Sequence, residues 1–268
     1  MIFRNNMLSA EREIRFFLSS QAQGVKLTLV ESTASTNDDM KTAARNGEEE
    51  LSVLVAEAQS AGKGSKGRSF FSPAGTGIYM SILLRPDCSA EESTLLTPMA
   101  AVAVAEAIEK VTGVKAQIKW VNDIYIGGRK AAGILTEGEA EKSGNSLEWA
   151  VIGIGINLSP PDGGFPDEIR DIAGAVTSDG EKVRNRLIAE IINGIVYYYG
   201  RLADGDFYEA YRERLFILSQ RVTVTDFSGS FEATVLDVDR AFRLKVSLSD
   251  GSERLLSSAE VSLVVSSQ

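Results

Sequence analysis

The texture of this chain changes after Ser219, and that change constrains its fold more than any other feature. Up to Leu218, strand-like apolar runs alternate with segments of helical periodicity. Beyond it come only short alternating runs: Arg221–Asp226, Ser230–Asp237, Phe242–Leu248, Arg254–Leu256 and Val261–Val265, separated by Gly, Asp and Ser turns. This pattern predicts an α/β (α+β) domain over residues 1–218 followed by a small all-β barrel over 219–268.

Within the first domain, Ser9 reads as the cap of a helix with Ile14, Phe17 and Leu18 on one face, ending near Gln21–Gly24. Lys26–Glu31 reads as a strand. Ser35 with Asp38 has the form of a capping box, opening a helix that stops at Gly47. Leu51–Ala58 and Gly77–Leu84 are strands, and Leu95–Thr112 is a helix with Gly113 at its C′ position. Lys115–Trp120, Ile124–Ile126 and Lys130–Thr136 are strands, the last two joined at Gly127-Gly128. Trp149–Ile156 is a near-continuous apolar strand, and Glu181–Tyr199 and Phe207–Leu218 are helices. Pro160–Gly164 is a loop inside this domain.

The chain has 268 residues, 44% of them hydrophobic, and no apolar run approaches the length that spans a bilayer. Glu11 and Glu13 interrupt the start where a signal peptide is apolar. One cysteine, Cys88, leaves no internal disulfide and fits a cytoplasmic protein. The net charge of −9 argues against nucleic acid as the main partner. The absence of histidine is sharper. It removes Ser-His-Asp and Cys-His nucleophiles and histidine-rich zinc sites. Catalysis would fall to Lys, Arg, carboxylates, backbone N–H groups and a hard metal, a profile suited to phosphoryl or nucleotidyl transfer.

Four clusters carry such groups. Gly62-Lys63-Gly64-Ser65-Lys66-Gly67-Arg68 alternates glycines with cations just before Phe70-Phe71. Its backbone can cradle a phosphate or carboxylate, and a solvated flexible loop explains the run about as well when it is taken alone. Ser35-Thr36-Asn37 stands at a helix start, where capping alone accounts for it. Lys119-Trp120-Val121-Asn122-Asp123 precedes Arg129-Lys130-Ala131-Ala132-Gly133-Ile134, and a hairpin would bring Asp123 and Lys130 to one side of a sheet. An exposed ion pair is the plain alternative. Gly153-Ile154-Gly155-Ile156-Asn157 contains a GxG, but Leu158 stands where a dinucleotide fingerprint needs its third glycine. Glu57 likewise breaks the Walker pattern ahead of Gly62-Lys63.

Taken in order, Ser35-Thr36-Asn37, Gln59 with Gly62–Arg68, Lys119–Asp123, Lys130–Ile134 and Gly153–Asn157 resemble the biotin protein ligases, the biotin–[acetyl-CoA carboxylase] ligases. The resemblance runs from about Leu27 to the C-terminus. It implies a mixed β-sheet catalytic domain of the class II aminoacyl-tRNA synthetase type with a C-terminal SH3-like barrel. It also implies two reactions: biotin and MgATP give biotinyl-5′-AMP and pyrophosphate, and the biotinyl group then passes to a lysine of a biotin carboxyl carrier domain. A carboxylate is already ionised at neutral pH, so adenylation needs no histidine base.

By the same resemblance, Ser35, Thr36, Asn37 and Gln59 belong to the biotin site. The backbone of Lys63, Gly64 and Ser65 would hold the biotin carboxylate, and Lys130 would bridge it to the α-phosphate. Gly133 and Gly155 would let the wall approach the thiophane ring and valeryl chain. Arg68 would meet phosphate, Phe70 would stack on adenine, and Asn157 would read the adenine edge, with Lys63, Ser65 and Asn122 also on the nucleotide. Asp123 is the candidate for Mg2+ or ribose positioning and for receiving the carrier lysine's proton.

Three positions depart from the family pattern: Val121 replaces a usual proline, Ala131 or Ala132 a leucine, and Ser65 a common arginine. Serine brings no guanidinium to the intermediate's phosphate, so faster leakage of biotinyl-AMP is expected. Fewer residues precede Lys26 than a winged helix-turn-helix requires, so the expectation is an enzyme without DNA regulation, as a monomer or a sheet-edge homodimer. A lipoate ligase and a non-catalytic biotin or nucleotide sensor are the alternatives. Substrate-dependent ATP–pyrophosphate exchange separates the three.

Overall fold

The computed structural model describes residues 2–89, 91–141, 146–226, 229–257 and 262–265. Its centre is a seven-stranded sheet in the order β1-β2-β3-β7-β6-β5-β4. The strands are β1 (Lys26–Thr33), β2 (Ser52–Gln59), β3 (Gly77–Leu84), β4 (Gln117–Lys119), β5 (Asp123–Ile126), β6 (Arg129–Ala140) and β7 (Leu147–Asn157). Only β1 and β2 run parallel; every other neighbour pair is antiparallel.

Every residue of β3 is buried, as expected of a central strand covered on both faces. One face carries Ile78, Met80, Ile82, Ile152 and Ile154 into the main core with α3 (Leu96–Thr112) and α4 (Glu181–Tyr199). On the other, Leu83, Trp149 and Val151 pack against Met40 and Ala44 of α2 (Thr36–Arg45). Period-two alternation thus assigns the odd positions of β3 and β7 to the α2 face.

Local signals hold where no distant partner competes. Gly113 takes the left-handed conformation (φ 72°) at the end of α3. Gly127 and Gly128, at φ 56° and 77°, form the two-residue turn from β5 to β6. Ser35 caps α2 by accepting from Asp38 N.

The largest differences in bounds fall in three elements. Helix α1 spans Ile2–Phe17, so Ser9 lies inside it: nothing before Ser9 breaks a helix, and one serine does not stop it. It stops at Phe17, short of the expected Gln21–Gly24, and a separate helical turn follows over Ser20–Ala22, where Gln23 Nε2 donates to Leu18 O at 2.9 Å. Strand β6 continues to Ala140 because its polar end remains paired with β7, down to Ala140↔Leu147. Helix α5 covers Phe207–Arg214, because Leu215 turns extended and bridges to Ile118 of β4.

The C-terminal strands are β8 (Arg221–Asp226), β9 (Gly229–Val238), β10 (Leu244–Leu248), β11 (Glu253–Leu256) and β12 (Ser262–Val265). They form a five-stranded antiparallel sheet in the order β11-β10-β9-β8-β12, the small all-β unit expected after Ser219, and among the described ladders none joins β11 to β12. Val261, the expected start of the last strand, lies outside the described residues.

This sheet shares one apolar core with the larger one. Phe242 stacks on Phe207 of α5 (centroids 5.3 Å, 14°) and meets Tyr211 edge-on at 5.0 Å. Arg212 grips Asp237 through two bonds of 2.8 and 3.1 Å. Among the described residues no helix is long and apolar enough to cross a membrane.

Candidate active site

Strand register creates the site. On the α2 face one row of directly paired residues crosses the sheet: Tyr79↔Gly155↔Gly133↔Asp123↔Lys119. Directly opposed residues project to the same face, so two side-chain-free positions leave a trough between Tyr79 and Asp123. The GxG of β7 therefore works as missing side chains on a sheet face. Above the trough lies a cavity of about 660 Å³, within the size range of small-molecule sites. Every residue proposed from the sequence as a ligand contact lines it.

The glycine loop forms one rim as a miniature hairpin. Gly64 N donates to Arg68 O (2.7 Å) and Phe70 N to Gly62 O (2.8 Å), around a tight turn with Lys66 and Gly67 at φ 57° and 74°. Gly62 is required by contact: a methyl there would lie 2.6 Å from both Phe70 O and Ser72 Oγ. Arg68 folds back on the turn, Nη2 donating to Ser65 Oγ at 3.0 Å and Nε to Ser65 O at 3.2 Å. Ser65, short of the expected guanidinium, thus orients the neighbouring one.

The Phe70 ring lies over Gly155, where a methyl would meet it at 2.7 Å, and edge-on to Tyr79 at 6.4 Å. The space expected above Gly155 for a ligand ring is taken by this phenyl. Phe70 is a wall of the trough, packed onto Gly155.

The end of the cavity near α2 is polar and internally bonded. Gln59 Oε1 accepts from Thr36 N (2.9 Å) and Oγ1 (3.1 Å), while its Nε2 donates to Ser72 Oγ (3.0 Å). Asn37 is buried on Gly153, accepting from Ser81 Oγ at 2.6 Å and donating to Glu137 Oε2 at 2.9 Å. Both ends of its amide are engaged, which makes it a support for the pocket floor.

Opposite stands the pair anticipated from the hairpin. Lys130 Nζ lies 2.6 Å from Asp123 Oδ1, with side chains 28% and 19% exposed, so it is not the fully solvated pair of the plain alternative. Gly133 lies beneath them: a methyl there would be 3.4 Å from Lys130 Cε and 3.6 Å from Asp123 Oδ1. Asn122 ties the turn to β6, its Nδ2 donating to Ile134 O at 2.7 Å. Burial pushes the Lys119 ammonium below the usual lysine range; Asp123 opposes that, while Lys130 and Arg68 add to it.

Among the described residues no three His, Cys, Asp or Glu side chains gather to hold a metal. Asp123 stands singly, which suits an Mg2+ that brings phosphate oxygens and water as its other ligands.

Two features escaped the sequence reading. Residues 166–173 close the far rim with Pro166, Ile169 and Ile172, held by Lys130 N→Ile172 O and Gly174 N→Lys130 O, both 2.8 Å. Asn157 Nδ2 secures the same segment through Gly174 O at 3.1 Å. Asp38, read only as a cap partner, binds Lys63 of the glycine loop at 2.6 Å.

The model of the biotin/lipoate A/B protein ligase family matches residues 29–157. A biotin--[acetyl-CoA-carboxylase] ligase of Mycobacterium tuberculosis is 30% identical over 223 residues, 80% of each chain. The bifunctional ligase/repressor BirA of Bacillus subtilis is 41% identical over 175 residues, 65% of this chain and 53% of that protein. The matched region thus spans about half the length of that BirA and of its Bacillus spizizenii counterpart. The structure of Aquifex aeolicus biotin protein ligase in complex with biotin and ATP superposes with a TM-score of 0.76 at 24% identity, covering 90% of this chain and 99% of that one. At that identity the superposition speaks for the fold. Its sheet, its site and its similarity along four fifths of a relative place the chain in the biotin/lipoate A/B protein ligase family.

Proposed function

We infer that this chain is a biotin protein ligase: it condenses biotin with MgATP to biotinyl-5′-AMP and pyrophosphate, then transfers the biotinyl group to a carrier lysine. The observation that carries this reading is the Lys130–Asp123 pair at one wall of a glycine-floored trough, with a glycine and cation hairpin on the rim. Two anions must meet there, and fixed cations with aligned N–H groups lower the barrier to their meeting.

In the first step a biotin carboxylate oxygen attacks the α-phosphorus. The bond from that phosphorus to the bridging α–β oxygen breaks and pyrophosphate leaves; an Mg2+ held by Asp123 would offset the negative charge of the phosphates. Lys130 bridges the two reacting anions and Arg68, oriented by Ser65, faces phosphate. In the second step the carrier lysine's amine attacks the acyl carbon, AMP leaves, and the amine's proton passes to Asp123. The ureido ring lies among Ser35, Thr36 and Gln59, and the backbone from Lys63 to Ser65 receives the carboxylate. Phe70, Asn122 and Asn157 line the nucleotide end.

The carrier domain of a biotin-dependent carboxylase is the proposed macromolecular partner, with a cytoplasmic location, no DNA partner and a homodimer as the alternative to a monomer. Residues 1–218 are the proposed ligand-binding unit and 219–268 its SH3-like brace. The test is ATP–pyrophosphate exchange with biotin, with lipoate and with neither, followed by biotin transfer to a carrier domain. Exchange with biotin alone supports the reading. Exchange with lipoate alone, or with neither acid, overturns it.

A further inference from the structure

The glycine hairpin is strapped to α2 by a polar chain that neither reaction step uses. Both carboxylate oxygens of Asp38 lie within 2.7 Å of Lys63 Nζ. On its other side Asp38 meets Lys41 Nζ at 2.9 Å, and Lys41 reaches Glu137 of β6 at 2.6 Å. Glu137 in turn accepts from Asn37, which is seated on Gly153 in the pocket floor. The loop's first cation is thus connected side chain by side chain to the sheet that forms the trough. Burial raises the Asp38 carboxyl, but the Lys63 and Lys41 ammoniums outweigh it and hold it below the usual range.

This matters because the hairpin's own ladder is short. Gly64 N and Phe70 N donate within it, and on the alternating pattern of a strand the Lys63 N–H faces the other way. That N–H is useful to a carboxylate only while the hairpin holds its position against α2. A loop this rich in glycine has large freedom to lose on ordering.

We propose that Asp38 is a positioning residue: it holds the Lys63 side chain so that the hairpin backbone is preset for the carboxylate of the acid substrate. The Lys63 ammonium then acts as an anchor, and the charge that meets substrate comes from Lys130 and Arg68. The inference rests on the proposed ligase activity for its substrate, but the strap itself does not.

Two measurements test it. In biotin-dependent ATP–pyrophosphate exchange, Asp38→Asn should raise the KM for biotin about two- to fivefold, the range of a half-exposed ion pair, with kcat moving less. Lys63→Met should give the same shift, the double variant no more than either alone, and Asp38→Glu should restore most of it. Separately, hydrogen exchange at Gly64 and Phe70 amides should quicken in Asp38→Asn while α3 amides stay as in the parent chain. Additive single effects, an unchanged KM or unchanged loop exchange would overturn the proposal. A parent chain without biotin-dependent exchange would overturn the ligase reading instead, and the hydrogen-exchange comparison would then decide the strap.

Discussion

The indole Nε1 of Trp120 donates to the backbone oxygen of Phe242 at 2.8 Å, joining the turn between β4 and β5, just ahead of Asp123, to the connection between β9 and β10 of the C-terminal sheet. Phe242 sits at φ 56°, a conformation uncommon for a bulky residue, and its ring is enclosed by Phe207, Tyr208 and Tyr211. Tyr211 adds a second tie, its hydroxyl donating to Val121 O at 3.2 Å. The small sheet therefore braces the turn on which Asn122 and Asp123 stand.

Trp120→Phe keeps most of the packing and removes the donor, leaving the Phe242 oxygen buried without it. The expected loss is about 1–3 kcal/mol, read by urea unfolding. A midpoint equal to that of the parent chain would show that the bond does not brace the turn.

Gly155→Ala probes the trough. Its methyl would press on the Phe70 ring at 2.7 Å, and the displaced phenyl would move into the cavity or off the hairpin. Overpacking of this kind costs about 1–3 kcal/mol, so both the melting temperature and biotin affinity should fall. Gly133→Ala, whose nearest neighbour is the flexible Lys130 side chain at 3.4 Å, should be milder. Equal effects from the two substitutions would contradict the packing account.

Much of this was legible in the sequence because the groups were local. The capping serine, the Gly127-Gly128 turn and Gly113 act within a few residues, and their structures match. Strands β3 and β8 and helix α4 have the expected bounds, since uninterrupted periodicity marks them. Tertiary partners decided the rest. Leu215 leaves its helix to bridge Ile118, and Phe70 turns onto Gly155 because strand register leaves a gap there. Asp38 reads as a cap partner until the fold brings Lys63, 25 positions away, beside it.

The pairing of Arg68 with Ser65 bears on retention of the adenylate. Arg68 supplies a guanidinium to the rim, but the position of Ser65 lacks one of its own. Ser65→Arg should lengthen the lifetime of enzyme-bound biotinyl-AMP at least about tenfold, the worth of one charge-assisted bond. Release rates measured by trapping free biotinyl-AMP would check this. An unchanged rate would mean that Arg68 alone suffices.

Lys119 gives a pH signature. Burial lowers its pKa, so it loses its proton below the usual lysine range. The unfolded chain keeps that proton to higher pH, so this group makes stability rise with pH between the two values. Activity moves the other way, because a positive charge beside Asp123 is lost and anionic substrates bind less well. The KM for ATP should climb on the alkaline side, and Lys119→Arg should carry the climb to higher pH. Superimposable profiles would contradict a role for this charge.

The central claim is that the Lys130–Asp123 wall joins the biotin carboxylate to the α-phosphate. The most direct measurement is biotin-dependent ATP–pyrophosphate exchange in the parent chain and in Lys130→Gln. The account predicts exchange in the parent chain and a fall of about a hundredfold or more in kcat/KM in the variant, with its fold intact by circular dichroism. A parent chain without exchange, or a variant exchanging at the parent rate, would contradict it.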